Sequence, residues 1–179
     1  MNINSSLFKK INGLSGKNHW LDAFGWAGAE LVLVAMLGWY SVSVFLAYEN
    51  NWPARGRAML ILLAAGLGGW ALNFLIAWVV KEPRPFLNQP QDRSLFHPLF
   101  PALFTWKSFP SDHALWAMTI FLTALILHLP LAWPLIILAA WVGWGRVFSG
   151  VHYPGDIIGG FSVALFVAAV GNFLINILF

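Results

Sequence analysis

The chain contains no cysteine and very little charge. Without cysteine there is no disulfide, no thiolate nucleophile and no cysteine-ligated metal. Charged residues make up 9% of the 179 positions, against about 25% in an average soluble protein. That excludes an ordinary soluble domain. The net charge of +3 is small and its basic residues are scattered, so nucleic acid is not an expected partner. No internal repeat or low-complexity tract is evident. What the sequence has instead is hydrophobicity, at 59% of residues, and aromatics, with eleven Trp and fifteen Phe. Such a content suits aromatic belts at two lipid–water interfaces. The length suits one integral-membrane domain over residues 1–179.

A bilayer crossing takes about 20 apolar residues. On that measure the sequence predicts five spanning helices, at about 24–47, 58–80, 112–129, 131–148 and 157–178. The expected fold class is therefore all-α, a polytopic membrane helix bundle. Lys9, Lys10 and Lys17 precede the first apolar run, which is too long for a signal-peptide core, so it is expected to remain as an anchor. Residues 2–14 place Ile3, Leu7, Phe8, Ile11 and Leu14 near one helical face. They read either as an interfacial helix lying flat on the membrane or as a frayed polar tail. The brief His128-Leu129-Pro130 hinge makes the third and fourth helices an antiparallel hairpin. With five crossings, the long connection 81–111 and the loop 149–156 emerge on the same side. Helix counting thus gathers the chemically capable residues at one membrane face.

Three clusters stand there. Lys81-Glu82-Pro83-Arg84-Pro85-Phe86 offers a point charge and a planar fork for phosphate, with prolines stiffening the backbone. It also reads as a basic flank anchoring a helix end. Phe109-Pro110-Ser111-Asp112-His113 opens the third helix, whose free N–H groups favour anions. It also reads as an ordinary N-cap. Arg146, His152 and Asp156, spaced R-x5-H-x3-D, are three polar residues between two membrane-length apolar stretches. Polar groups kept near hydrocarbon usually have a function, and these three types suit phosphoryl transfer. The plain alternative is a polar loop with an N-cap aspartate. Glu30 lies within the first apolar helix, where it pairs either with an active-site base, with lipid, or between helices. Arg93 and His97 in the long loop are further candidates for diphosphate contact. His19 and His128 read as interfacial.

Taken in order, the three clusters resemble the type 2 phosphatidic acid phosphatase family. Its pattern is Lys-x6-Arg-Pro, Pro-Ser-Gly-His and Ser-Arg-x5-His-x3-Asp. Arg84-Pro85, Pro110-Ser111-His113 and Arg146-His152-Asp156 match it over about residues 75–160. There are departures: Ala77 stands where the family has its lysine, Asp112 where most members have Gly, and Gly145 where they often have Ser. The variants Lys-Glu-Pro-Arg-Pro-Phe and Phe-Pro-Ser-Asp-His are similar to the bacitracin-resistance type of undecaprenyl-diphosphate phosphatase.

The resemblance implies that His152 is the nucleophile, Asp156 its orienting carboxylate and His113 the general acid and base. It implies phosphate binding by Arg84, Arg146, Ser111 and Lys81, with arginines in place of a metal and no cofactor. Asp112 is expected to face away from phosphate, paired with Lys107 or Arg84. Asp112 and Glu30 are accessory candidates. The implied substrate is a polyprenyl diphosphate in a bacterial plasma membrane, with the site facing the periplasm or outer surface. Other lipids fit the same chemistry: phosphatidylglycerol phosphate, phosphatidate, or lipid A as a phosphotransfer acceptor. A non-catalytic lipid-binding or transport protein is the remaining reading.

Overall fold

A computed structural model describes residues 3–88 and 104–178. Arg93 and His97 lie outside the described residues. Among the described residues there is no strand. The helices are α1 (Ile3–Asn12), α2 (His19–Trp26), α3 (Val32–Ala47), α4 (Trp52–Val80), α5 (Pro85–Asn88), α6 (Asp112–Ile126), α7 (Pro134–Phe148) and α8 (Pro154–Leu178). One wide π turn, Ala27–Leu31, joins α2 to α3 without a break.

Each start has a local cause. Asn18 accepts from the amides of Trp20 and Leu21, so the first long helix begins at His19 rather than Phe24. Asn51 caps α4 through the Ala54 amide and Pro53 sits in its first turn, so it begins before Arg55 and Arg57 rather than after them. Arg55 lays its guanidinium 4.0 Å from the Phe45 ring centroid and 4.9 Å from that of Trp52. Its charge is accommodated at the helix end against aromatic faces.

The five apolar helices expected from sequence are present. His19–Ala47, Trp52–Leu87 and Pro154–Phe173 are long and apolar enough to cross a membrane. α6 and α7 have 15 residues each, or about 22 Å of rise. They are shorter than the expected 112–129 and 131–148. His128 and Leu131 take left-handed φ values of 51° and 60°, which end the helix, and Pro134 starts the next one. The pair is still a hairpin, its turn tied to α3 by Trp39 Nε1 donating to the Leu131 carbonyl at 2.9 Å.

α6 is the central helix, packing against α3, α4, α7 and α8. Leu115, Ala117, Ile120 and Ala124 are fully buried on it. α3 and α4 instead expose large apolar side chains such as Val34, Val42, Leu60, Leu67 and Leu75, a surface suited to lipid.

The N-terminal segment is a helix. Phe8 and Asn12 are fully buried. Phe8 meets Tyr153 edge-on at 5.2 Å between centroids. Asn12 Nδ2 donates to the Phe148 carbonyl at 2.8 Å, and Asn4 Oδ1 accepts from the Gly155 amide at 2.8 Å. α1 therefore braces both ends of the segment 149–153.

Candidate active site

The three sequence clusters meet at one end of the bundle. Gly150, at φ 77°, turns the chain after α7. Val151, His152 and Tyr153 follow that turn inward and, like Ser149 before it, are buried. Asp156 stands in the first turn of α8, and its Oδ2 accepts from the Tyr153 amide at 2.8 Å. The same oxygen lies 3.3 Å from His152 Nδ1 and accepts from Ser108 Oγ at 2.5 Å. Three donors converge on one carboxylate oxygen.

The tautomer of His152 follows. Nδ1 faces a carboxylate and so carries the proton. Nε2 keeps its lone pair and lies 3.2 Å from Arg84 Nη1. Burial, then the charges of Arg146 and Arg84, hold the His152 imidazole well below its usual pKa of 6.5. The ring is thus a neutral imidazole flanked by cations, with the Nε2 lone pair on the Arg84 side.

Arg84 is fixed along its length. Nε donates to the Phe104 carbonyl at 2.6 Å and Nη1 to the Val151 carbonyl at 2.9 Å. Its segment is pinned to the residues before α6 by the Arg84 amide on the Thr105 carbonyl and the Ser108 amide on the Glu82 carbonyl, at 3.2 and 2.8 Å. Arg146, near the end of α7, donates from Nη1 to Glu30 Oε1 at 2.9 Å. Glu30 belongs to the π turn, a feature often found at functional sites. The bond joins two helical segments, so for Glu30 the readings of pairing with a basic residue and of bonding between helices coincide.

Ser111 caps α6, its Oγ 3.5 Å from the Ala114 amide, and its own amide donates to the Asp156 carbonyl at 3.0 Å. His113, in the first turn of α6, is within electrostatic reach of Arg146, His152 and Arg84. Lys81 stands apart. It caps α4 in a left-handed conformation, φ 48°, and its exposed side chain places Nζ 5.9 Å from the Trp78 ring centroid. Asp112 pairs with Lys107, Nζ to Oδ2 at 2.5 Å. This is one of the two pairings expected for it, and its carboxylate remains within electrostatic reach of Arg84, Arg146 and His152.

Residues 57–176, which carry all three clusters, match the sequence pattern of the PAP2 superfamily. The chain belongs to the PAP2 superfamily. It is 32% identical to the undecaprenyl-diphosphatase BcrC of Bacillus subtilis, over 92% of this chain and 80% of that protein. It is 42% identical to the bacitracin transport permease protein BcrC of Bacillus licheniformis, over 88% and 73% respectively. The crystal structure of Aquifex aeolicus LpxE superposes with a TM-score of 0.69 at 24% identity, covering 95% of this chain and 94% of that one. A PAP2-type phosphatidylglycerolphosphate phosphatase from Bacillus subtilis superposes with a TM-score of 0.68 at 23% identity, covering 100% and 89%. These two likenesses show the fold. As a PAP2 member with such relatives, the chain is a multi-pass membrane lipid phosphatase.

Within the superfamily pattern, Gly145 has a steric reason. A Cβ there would lie 2.5 Å from the Ala29 amide nitrogen and 2.7 Å from the Gly28 carbonyl carbon. α7 approaches the π turn too closely for serine, and that approach sets the Arg146–Glu30 pair. Three polar supports of the site, Ser108, Asn73 and Asn12, escape a reading by motif. Ser108 lies two residues before Pro110 and carries no motif signal, Asn12 sits in a polar N-terminal helix, and Asn73 reads as an isolated polar residue in an apolar helix. A polar residue within an apolar helix needs partners, which is the signal that points to Asn73.

Proposed function

We propose that the enzyme hydrolyses undecaprenyl diphosphate to undecaprenyl phosphate and inorganic phosphate, recycling a cell-wall lipid carrier. The observation that carries the chemistry is His152, with Nδ1 on Asp156 and Nε2 beside Arg84. Nε2 attacks the terminal phosphorus; a P–N bond forms as the bridging P–O bond breaks. His113 gives its proton to the departing lipid phosphate. Asp156 stabilises the positive charge on the phosphohistidine ring. Water then attacks phosphorus, His113 takes its proton, and inorganic phosphate leaves His152. Arg84 and Arg146 hold the equatorial oxygens while charge shifts. The choice of lipid is supported by the Bacillus subtilis relative named as an undecaprenyl-diphosphatase.

The test is phosphate release in detergent from undecaprenyl diphosphate, phosphatidylglycerol phosphate and phosphatidate. The expected order puts the prenyl diphosphate ahead by about tenfold or more in kcat/KM. A ranking led by either glycerophospholipid overturns the substrate. His152→Ala should lose turnover by at least about three orders of magnitude with the protein still folded. Near-wild-type turnover in that variant would sink the mechanism.

The site is proposed to face the periplasm or outer surface, in keeping with the family resemblance of its motifs. The absence of cysteine makes this accessible to labelling. Thr105 is exposed beside the site. Thr105→Cys should react with a membrane-impermeant maleimide in intact cells. Labelling only after the membrane is opened reverses the orientation.

A further inference from the structure

Lys107 lies outside all three motifs, yet its side chain is only 5% exposed. A buried ammonium is costly unless it is paired. Its Nζ meets Asp112 Oδ2 at 2.5 Å and sits 5.9 Å from the Phe74 ring centroid. Asp112 is itself held from α4. Asn73 Nδ2 donates to its Oδ1 at 2.8 Å and to the Pro110 carbonyl at 3.2 Å. Two separate elements therefore fix where the lysine points.

The pair also has a definite place in the site. Ser108, next to Lys107, donates to Asp156, and Asp112 lies between Ser111 and His113. Exposure is graded across the site. The side chains of His152 and Asp156 are 3% and 1% exposed, at the floor, whereas Asp112 is 33% exposed, toward the mouth. The transferred phosphoryl group must reach Nε2 at the floor, beside Arg84 and Arg146. The Lys107–Asp112 pair stands on the more exposed side of that floor. In a lipid diphosphate the next group outward is a second phosphate. In a monophosphate ester it is an uncharged carbon skeleton. An ammonium is a compact charge that takes phosphate oxygens without a fixed fork geometry. A bare carboxylate here would repel the same phosphate. Lys107 neutralises it, and the remaining N–H donors of the ammonium suit an oxyanion.

We propose that Lys107, steered by Asp112 and Asn73, binds the phosphate that stays on the lipid and so makes the site prefer lipid diphosphates to lipid monophosphate esters. This rests on the diphosphate reading above. The position seven before Arg84 is Ala77 and Lys81 points elsewhere, so this lysine reaches the site from the segment before α6 instead of from α4.

The experiment compares kcat/KM of the full chain in detergent on undecaprenyl diphosphate and on phosphatidate, for wild type, Lys107→Gln and Lys107→Arg. Lys107→Gln should lose about 10- to 100-fold on the diphosphate, the range for a hydrogen bond between charged groups. Its rate on phosphatidate should stay within about threefold, and Lys107→Arg should recover part of the loss. Equal losses on both substrates, or none on the diphosphate, overturn the proposal. A second measurement needs no variant. Methylenediphosphonate should inhibit the wild type about tenfold more tightly than inorganic phosphate, and equal inhibition counts against the role. A wild type that prefers phosphatidate sinks both readings. A wild type that prefers the diphosphate, with uniform losses in Lys107→Gln, sinks this one alone.

Discussion

The two ends of the bundle are built by different means. At the site end, Arg84, Lys107, Arg146, His152 and Asp156 are all buried, and each has a polar partner within the protein. At the other end, Met36, Val44, Leu62 and Leu135 pack as plain hydrocarbon, and Tyr40 adds one hydrogen bond to the Ala58 carbonyl at 2.9 Å. Hydrocarbon packing between helices gains little over packing against lipid tails, so it tolerates small changes. A buried polar network does not, because each lost partner leaves a desolvated group behind. Activity should therefore be brittle at one end of the molecule and indifferent to the other.

The largest effect is expected at Asp156. Its Oδ2 takes the Ser108 hydroxyl, the Tyr153 amide and the His152 ring together. Asp156→Asn keeps the shape and removes the charge. On the proposed mechanism the phosphohistidine then forms without a counter-charge, and the acceptor that orients His152 becomes a neutral amide oxygen. Turnover should fall by about 10²- to 10⁴-fold. The loss should appear in single-turnover phosphorylation of the enzyme, with the detergent-solubilised protein still monodisperse. A variant within about fivefold of wild type would erase the contrast between the two ends.

A smaller effect concerns pH. His152 is held well below 6.5 by burial and by Arg146 and Arg84. It is therefore neutral through the pH range where an ordinary histidine gains its proton. The sign is that falling pH should not protonate the proposed nucleophile. Single-turnover phosphorylation should hold up as pH drops from about 8 to about 7. Arg84→Gln removes one of the charges that lower this pKa, so it should rise. An acidic limb should then enter the range, beneath the variant's lower overall rate. A wild-type rate that already falls through about pH 6.5, with the variant's profile unshifted, contradicts this assignment.

The same contrast explains what is legible in the sequence. The five apolar helices follow from hydropathy and length, because the bilayer imposes both. Helix ends are harder to place. Arg55 and Arg57 read as loop, but Arg55 is sheltered on Phe45 and Trp52 inside a helix that Asn51 starts. Arg84, His113, Arg146, His152 and Asp156 are legible as spaced motifs. Their supports are not, because each comes from a distant part of the chain. Glu30 reaches Arg146 across 116 positions and Asn12 reaches Phe148 across 136. Lys81 is the reverse case: adjacent to a motif in sequence, it is turned away by its left-handed backbone.

Tyr40→Phe probes the tolerant end. It deletes the hydroxyl that meets the Ala58 carbonyl and leaves the ring in place among Met36, Val44 and Leu62. The carbonyl remains in the α4 helix and keeps its helical environment, so the loss should be about 1 kcal/mol of stability. Thermal unfolding in detergent should shift downward by a few degrees at most, on the order of what such a loss produces in a domain of this size. Turnover and its pH profile should match wild type, because no part of the site end rests on Tyr40. A change in turnover well beyond about twofold would mean that the apolar end transmits packing strain to His152. The two ends would then form one mechanical unit, and the separation between them would concern composition alone.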